Sequence, residues 1–423
     1  ALACSCGVSC GKNAWQRKRA VMRSQSDLAA GFFSLQAQLV LTASGYITTV
    51  LLARGLGPKA FGVFGLIYSL LVAVELFARC GIMNATTRLL AGMSDSLPLC
   101  RQATGLTLAI SSLTFALVWA AAPALAWLFA LSQGAFWFRL AAIDIPVFLL
   151  YLLQHAMLAG LGRFRAAATL ICVYALARVL AVLAVVWFWP SVEAALLANA
   201  AASLAAVLFG IAALGIRPLL PRLRGAQALL TAASPMWVSN TVRYMLPQLG
   251  LWSIPMLIAE RDEAAMAWYV TALSLARAVH LVPLGVDALL LQRLAAAIRR
   301  GKRVEAAAHL QTVLSFALLW LLLGCAVLLG QPNLLILLLF GPAYGGASGL
   351  LMPLVLGIGL GHSLLLLLHT ALVAIGAVAA ATGILLFALV TLVAATVVCV
   401  KSLGVLGAAY APLAVLPAAA GTA

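Results

Sequence analysis

Apolar segments about as long as a membrane is thick follow one another along almost the whole chain. Hydrophobic residues make up 65% of the 423 residues, and charged residues only 9%. A soluble domain of this length needs far more charged surface, whereas roughly 20 apolar residues can span the hydrocarbon core as a helix. The sequence therefore predicts an all-α polytopic membrane protein whose surface is largely solvated by lipid.

About twelve such segments can be counted, with only short connections between them. Glycine and proline mark several joints, among them Gly55-Leu56-Gly57-Pro58 and Gly341-Pro342. No polar stretch is long enough for a separate soluble domain. The predicted spans lie at about 28–52, 61–86, 103–131, 137–160, 166–190, 192–216, 229–259, 264–292, 306–330, 347–372, 375–399 and 403–421.

The formal net charge of +16 is explained by the way Lys and Arg are distributed among the predicted loops. Residues 1–27 form a basic tail that we place in the cytoplasm, and an even number of spans then returns the C-terminus to the same side. Most of the 26 basic residues fall in this tail and in the predicted cytoplasmic loops, as the positive-inside rule requires. No nucleic-acid partner is needed to explain the charge. The predicted outer loops hold only Arg54, Lys59, Arg139, Arg261 and Lys401.

A short pattern recurs in the two halves of the chain. The segment from Leu51 to Ala91 has a counterpart from Leu257 to Ala296, at an offset of roughly 205 residues. Six predicted spans separate the two, so the halves would have the same orientation in the membrane. A parallel repeat of this kind predicts a central cavity between two six-helix lobes. The predicted divisions are a tail at 1–27, an N-terminal lobe at 28–217, a linker at 218–228 and a C-terminal lobe at 229–423.

Four arginines inside the predicted spans are the candidate substrate-binding residues. They are Arg79, Arg178, Arg243 and Arg277. Each would cost on the order of 3 kcal/mol or more facing lipid at the bilayer centre, so we expect each to face a cavity or a partner. Arg178 and Arg243 lack a local acid, which favours a cationic lumen where the planar guanidinium binds phosphate oxygens. Structural ion pairs are the alternative: Glu75 lies four residues before Arg79, and Tyr174 offers Arg178 a cation–π contact.

Further polar residues are candidates for ion coupling or for pairing with these arginines. His280 and Asp287 share an arc of the eighth predicted span with Arg277. In the fourth predicted span, Asp144 shares one face with Tyr151 and His155. That combination suits Na⁺ binding or a proton relay, and the alternative is an interfacial carboxylate near Arg139.

Neither a metal site nor a cofactor site is predicted. Cys4, Cys6 and Cys10 cluster near the start of the chain, but no fourth Cys or His lies near them to complete a usual zinc site. His362 and His369 lie seven residues apart in the tenth predicted span. We interpret them as buried hydrogen-bonding residues.

Several motifs, in order and spacing, resemble those of the polysaccharide-exporter branch of the MOP superfamily, the Wzx-type lipid-linked oligosaccharide flippases. They are Ala53-Arg54-Gly55-Leu56-Gly57-Pro58-Lys59-Ala60-Phe61-Gly62, Ala233-Ser234-Pro235, Leu339-Phe340-Gly341-Pro342-Ala343-Tyr344 and Gly404 to Ala409. The resemblance covers residues from about 28 to the end. It implies two six-helix lobes around a cavity that opens alternately to each side.

This resemblance further implies a transporter and not an enzyme. The implied substrate is an oligosaccharide on a polyprenyl pyrophosphate carrier in a bacterial cytoplasmic membrane, with glycan polymerase and assembly machinery as further partners. Two features depart from the family pattern: Gln248 stands where an acidic residue is common, and the connection between the tenth and eleventh helices lacks the usual basic residue.

Three other functions remain open at this point. A MATE-like exporter of cationic drugs has a related architecture, but a lumen with four arginines would repel cations. A lipid II flippase usually has two more helices. A membrane glycan polymerase or ligase normally carries catalytic groups on a sizeable outer loop, and no paired carboxylates or nucleophile–base spacing is found in the predicted loops.

Overall fold

The structure is a computed structural model, and it describes residues 6–79, 81–91, 93, 95–223, 225–233, 237–258, 263–279, 294, 297–298 and 300–415. Every regular element in this part of the chain is helical, which confirms the predicted all-α class. The longer helices are α1 (Cys6–Ala78), α2 (Ile82–Leu90), α3 (Leu97–Leu128), α4 (Gly134–Ala142), α5 (Asp144–Gly160), α6 (Phe164–Phe188), α7 (Val192–Leu214), α8 (Gln227–Ala233), α9 (Trp237–Met245), α10 (Leu249–Leu257), α11 (Glu263–Val279), α12 (Arg303–Gly330), α13 (Pro332–Leu339), α14 (Ala347–Leu354), α15 (Ser363–Ala374), α16 (Val378–Leu403) and α17 (Val405–Tyr410).

Helix α1 is two membrane-spanning limbs joined at a kink. Gly57 has φ 76° and ψ 169°, a conformation in the positive-φ region that glycine tolerates, and Pro58 follows it. Tyr46 and Tyr68 lie eleven residues before and after the kink, yet both line one cavity. In a straight helix they would be roughly 33 Å apart at 1.5 Å per residue, so the chain folds back at Gly57. We call these parts of α1 the first and second limbs.

Eight helices in the described part of the chain are long and apolar enough to cross a membrane, and the first of them, Gln36–Ala78, contains two predicted spans. In segment 229–259, predicted as one span, the described residues form α8, α9, a 3-10 turn at Leu246–Gln248 and α10, with α9 and α10 joined through that turn. Pro247 lies in that turn, where it lacks an N–H to continue the helical hydrogen bonds. Helices α14 and α15 are continuous through a π-helical stretch at Val355–His362.

Two motifs that are far apart in sequence contact each other. Arg54 Nε donates to the Leu339 carbonyl at 2.8 Å, and its Nη2 donates to Leu338. Tyr344, only 2% exposed, donates from its hydroxyl to the Ala53 carbonyl. The Tyr344 ring also meets Phe61 edge-on at 6.0 Å. We call this set of contacts the Arg54–Tyr344 joint. This joint connects α1 to the end of α13 and to the segment that follows it.

Helix α1 contacts both halves of the described chain. It packs against α6 in the N-terminal half and against α11 in the C-terminal half. In the predicted linker, the Arg222 N–H donates to the Arg101 carbonyl at 3.0 Å. The division into lobes at 218–228 stays a prediction. Residues 1–5 of the predicted tail, Ser234 and Pro235 of the second motif, and most of the repeat end at 293–296 lie outside the described residues.

Candidate functional site

A cavity of about 470 Å³ lies between the two halves. Its walls come from both limbs of α1, from α6, from α9 to α11, and from the π-helical stretch with the start of α15. Hydrophobic side chains such as Phe61 and Leu251 alternate with polar ones around it. The polar residues that line the cavity are Thr42, Tyr46, Thr49, Tyr68, Ser69, Arg178, Arg243, Tyr244, Gln248, Ser274, Arg277 and His362.

Three of the four candidate arginines line this cavity. Arg178 comes from α6, Arg243 from α9 and Arg277 from α11, so three separate helices each contribute one guanidinium. Among the residues that the structure describes, no carboxylate lines it. A cavity with this lining carries strong positive potential in a low-dielectric setting. Whether the arginines bind substrate stays a prediction.

Arg178 is held by a tyrosine from another helix. Its Nη2 donates to the Tyr68 hydroxyl at 3.1 Å, and its guanidinium carbon lies 5.5 Å from the centroid of the Tyr68 ring. The cation–π partner found in the structure is thus Tyr68. Tyr174, the candidate from sequence, instead stacks on Tyr151 with centroids 4.8 Å apart. No local spacing could have identified Tyr68, which lies 110 residues away in the chain.

Arg277 has tyrosines around it. The phenol groups of Tyr46 and Tyr269 are close enough to affect it electrostatically. Tyr46 itself donates to the Ser274 carbonyl at 3.2 Å, which links the first limb of α1 to α11. The predicted companions of Arg277, His280 and Asp287, lie outside the described residues.

Arg243 differs from its predicted setting. The sequence placed it deep in one continuous span, whereas in the structure it lies in the last turn of α9, directly before the 3-10 turn at Leu246–Gln248 that leads into α10. Nearby, Gln248 is buried at 7% exposure, and its Oε1 has no hydrogen-bond partner. An amide at that position leaves the cavity more positive than a carboxylate would.

Arg79 is not among the residues that line the cavity. It lies in the turn after α1, because Gly81 has φ 74° and begins a new helix there. Its guanidinium carbon lies 5.5 Å from the Phe148 ring centroid, and its Nε is buried without a hydrogen-bond partner. Glu75 is 3% exposed, and its Oε1 is likewise without a partner. The two charges act on each other through space.

Asp144 lies in the protein interior. It begins α5, is 1% exposed and accepts a hydrogen bond from Asn199 Nδ2 of α7. Arg139 does not pair with it in the structure, because the Arg139 guanidinium lies over the Trp119 ring at 5.6 Å, and both interpretations of Asp144 stay predictions. Sequence reasoning missed Asn199, and its only signal was an amide within an alanine-rich span. Asp144 Oδ1 remains without a hydrogen-bond partner.

The remaining candidates are placed as follows. His362 lines the cavity, whereas His369 is buried on α15 and is not among the lining residues. His155 is half-buried on α5. In the described part of the chain, no group of three or more His, Cys, Asp or Glu is arranged to hold a metal ion. Cys4 lies outside the described residues.

Comparisons with known proteins place this fold. The family model for polysaccharide biosynthesis proteins matches residues 28–250. Among solved structures, an inward-facing multidrug resistance MATE family transporter of the MOP superfamily is similar, with 14% identity and a TM-score of 0.76 over 93% of this chain and 96% of that one. No curated protein sequence gives a significant match.

Two further structures share the fold. The lipid II flippase MurJ, in an inward closed conformation, is 13% identical with a TM-score of 0.74, over 92% of this chain and 86% of MurJ. A MOP superfamily transporter from Pyrococcus furiosus, described as having a binding pocket of reverse polarity, is 13% identical with a TM-score of 0.66, over 93% and 94%. At these identities the likeness establishes the fold alone.

Proposed function

Because the chain belongs to the polysaccharide biosynthesis protein family, we propose that it is a flippase for a polyprenyl-pyrophosphate-linked oligosaccharide. It would move this lipid across a bacterial cytoplasmic membrane for surface polysaccharide assembly. The observation that carries the proposal is the cavity between the two halves, into which Arg178, Arg243 and Arg277 converge. A glycan polymerase and assembly machinery would receive the product.

Charge supports a pyrophosphate as the group that the cavity recognises. Three guanidinium groups line the described part of the cavity, and the buried carboxylates Glu75 and Asp144 are not among the lining residues. A pyrophosphate esterified at both ends carries about two negative charges, and guanidinium groups bind its oxygens in a bidentate manner. Substrate and cavity are therefore opposite in charge.

The size of the cavity indicates which part of the substrate it would hold. Its volume of about 470 Å³ falls within the roughly 300–1,000 Å³ of sites for single small ligands. It fits a pyrophosphate with an adjoining sugar, whereas a polyprenyl chain has to remain in lipid. Aromatic side chains beside the arginines, such as Tyr46 and Tyr68, offer apolar faces and hydroxyls to a sugar.

An exporter of organic cations is the second candidate, favoured by the fold similarity to a MATE family transporter. The lining argues against it. A cation entering the cavity would meet three guanidinium groups and, among the described residues of the wall, no carboxylate, and repulsion in a low-dielectric site is strong. A polytopic glycan polymerase or ligase has no comparable support.

The proposal is tested by surface glycan in cells that depend on this protein. Arg178→Ala and Arg243→Ala should each abolish surface glycan while the protein remains in the membrane, because each removes one guanidinium from the cavity. Arg165→Ala is the matched control, since Arg165 is exposed and its guanidinium lies over Phe33 at 5.3 Å. Normal glycan with both cavity variants would refute the proposed role.

A further inference from the structure

We propose that Glu75 and Asp144 are resident counter-anions of Arg178, so that these carboxylates and the bound pyrophosphate compete for one guanidinium. This inference rests on the proposed function. It gives the two carboxylates a role in setting how tightly the substrate binds and how fast it leaves. They would act on the substrate through Arg178 and without touching it.

The geometry of Arg178 allows it to serve two sites. It lines the cavity, and it donates to the Tyr68 hydroxyl at 3.1 Å. Tyr68 and Glu75 lie seven residues apart on the second limb of α1, which places them on one face of that helix. Asp144 lies on α5 seven residues before Tyr151, whose ring stacks at 4.8 Å on Tyr174, one turn before Arg178 on α6. Both carboxylates act on Arg178 through space, and neither forms an ion pair with it in the described chain.

Both carboxylates have acceptor capacity that the fold leaves unused. Glu75 Oε1 and Asp144 Oδ1 are buried without a hydrogen-bond partner. A guanidinium carries five N–H donors, and the Tyr68 hydroxyl takes only one of them. Burial makes an unsatisfied carboxylate oxygen costly, which favours a shift of Arg178 toward the pair when no other anion is present. A pyrophosphate in the cavity would draw the same side chain the other way.

Arg277 contrasts with Arg178. The groups that act on Arg277 are the neutral phenols of Tyr46 and Tyr269, and no carboxylate of the described chain is among them. A free metal cation at Glu75 and Asp144 is disfavoured, because the guanidinium already supplies positive charge there.

A transporter gains from such competition because it has to release what it binds. Three unopposed guanidinium groups would hold a pyrophosphate tightly and slow its release. A carboxylate pair that attracts Arg178 lowers the affinity of the cavity for the substrate. By reciprocity, bound substrate weakens the interaction between the carboxylates and Arg178. Neutralising one carboxylate should then tighten binding and slow transport.

The test measures the equilibrium dissociation constant of farnesyl pyrophosphate, a soluble probe that carries a pyrophosphate on a prenyl chain, for the full-length protein in detergent. Glu75→Gln should lower the Kd about fivefold or more, as expected for a modest coupling between two sites, and Asp144→Asn should change it in the same direction. Glu75→Asp keeps the charge and should bind as the wild type does. In the Arg178→Ala background, Glu75→Gln should leave the Kd unchanged.

Glu193→Gln is the matched control for loss of a carboxylate, because Glu193 accepts from Trp137 Nε1 at 2.6 Å and is not among the cavity residues. Since unfolding weakens binding, tighter binding by Glu75→Gln cannot come from a misfolded variant. An unchanged or weaker affinity for Glu75→Gln, with Arg178→Ala still impaired, overturns the inference and leaves the flippase proposal standing. Absence of farnesyl pyrophosphate binding by the wild type overturns the pyrophosphate assignment itself.

Discussion

The Arg54–Tyr344 joint should hold one end of the cavity closed, and breaking one bond in it should shift the balance between closed and open states. Tyr344→Phe removes the hydroxyl that donates to the Ala53 carbonyl and keeps the ring against Phe61. A buried hydrogen bond contributes about 1 kcal/mol. That loss corresponds to a change of roughly fivefold in an equilibrium constant.

Pulsed electron paramagnetic resonance can read this shift from the distance between two spin labels in a background without native cysteines. Gln133 and Asn333 are suitable label sites, because both are exposed and lie at the predicted outer ends of the two halves. The ratio of long-distance to short-distance populations should rise about fivefold in Tyr344→Phe. Adding Arg54→Gln should raise it further, since it removes the two bonds to the carbonyls of Leu338 and Leu339.

Tyr410→Phe is the matched control, because Tyr410 is 46% exposed and lies outside the joint. It should leave the distance distribution as it is in the wild type. The reasoning fails if Tyr344→Phe, with or without Arg54→Gln, gives the wild-type distribution. It also fails if Tyr410→Phe produces the same shift.

Three further predictions concern the backbone, the buried carboxylate and selectivity. Gly57→Ala should lower the melting temperature, because the backbone at φ 76° and ψ 169° is essentially open to glycine alone and costs another residue about 1–3 kcal/mol, whereas Gly45→Ala, in an ordinary helical position with equally open space, should not. Asn199→Ala should cost about 1–3 kcal/mol in thermal unfolding, because Asp144 loses its buried donor; the exposed Thr169→Ala serves as its control. Cells that overproduce the protein should accumulate ethidium as control cells do, and active efflux would contradict the cationic lumen.

Hydropathy predicted the fold class well because lipid imposes a strong and simple requirement. A span must be apolar over roughly 20 residues, so most long helices could be located from the sequence. The same criterion missed the 3-10 turn at Leu246–Gln248. The helix changes its hydrogen-bonding pattern at Pro247, and a hydropathy profile does not register such a change.

The cationic residues of the site could be found because a charge inside a membrane span is costly unless it faces a cavity or a partner. Arg178, Arg243 and Arg277 were identified in this way, and the structure gathers them in one cavity. Arg79 satisfied the same rule but lies beside Phe148, outside the lining. Periodicity within one helix carries no information about which of two partners a buried arginine meets.

The partners of the charged residues could not be predicted because they come from distant helices. Tyr68 reaches Arg178 across 110 residues, and Asn199 reaches Asp144 across 55. Such pairs depend on how helices pack, and a single sequence taken alone holds no signal for them. A tyrosine or an asparagine in an apolar span looks the same whether or not it has a charged partner.

Translocation in proteoliposomes tests the central claim most directly. A polyprenyl-pyrophosphate-linked oligosaccharide is placed in one leaflet, and an added lectin reports its arrival in the other. The account predicts transport by the wild type and by Arg165→Ala, with loss of transport in Arg178→Ala and Arg243→Ala proteins that remain folded. Transport at the wild-type rate by both cavity variants, or none by the wild type with any pyrophosphate-linked glycan, would contradict it.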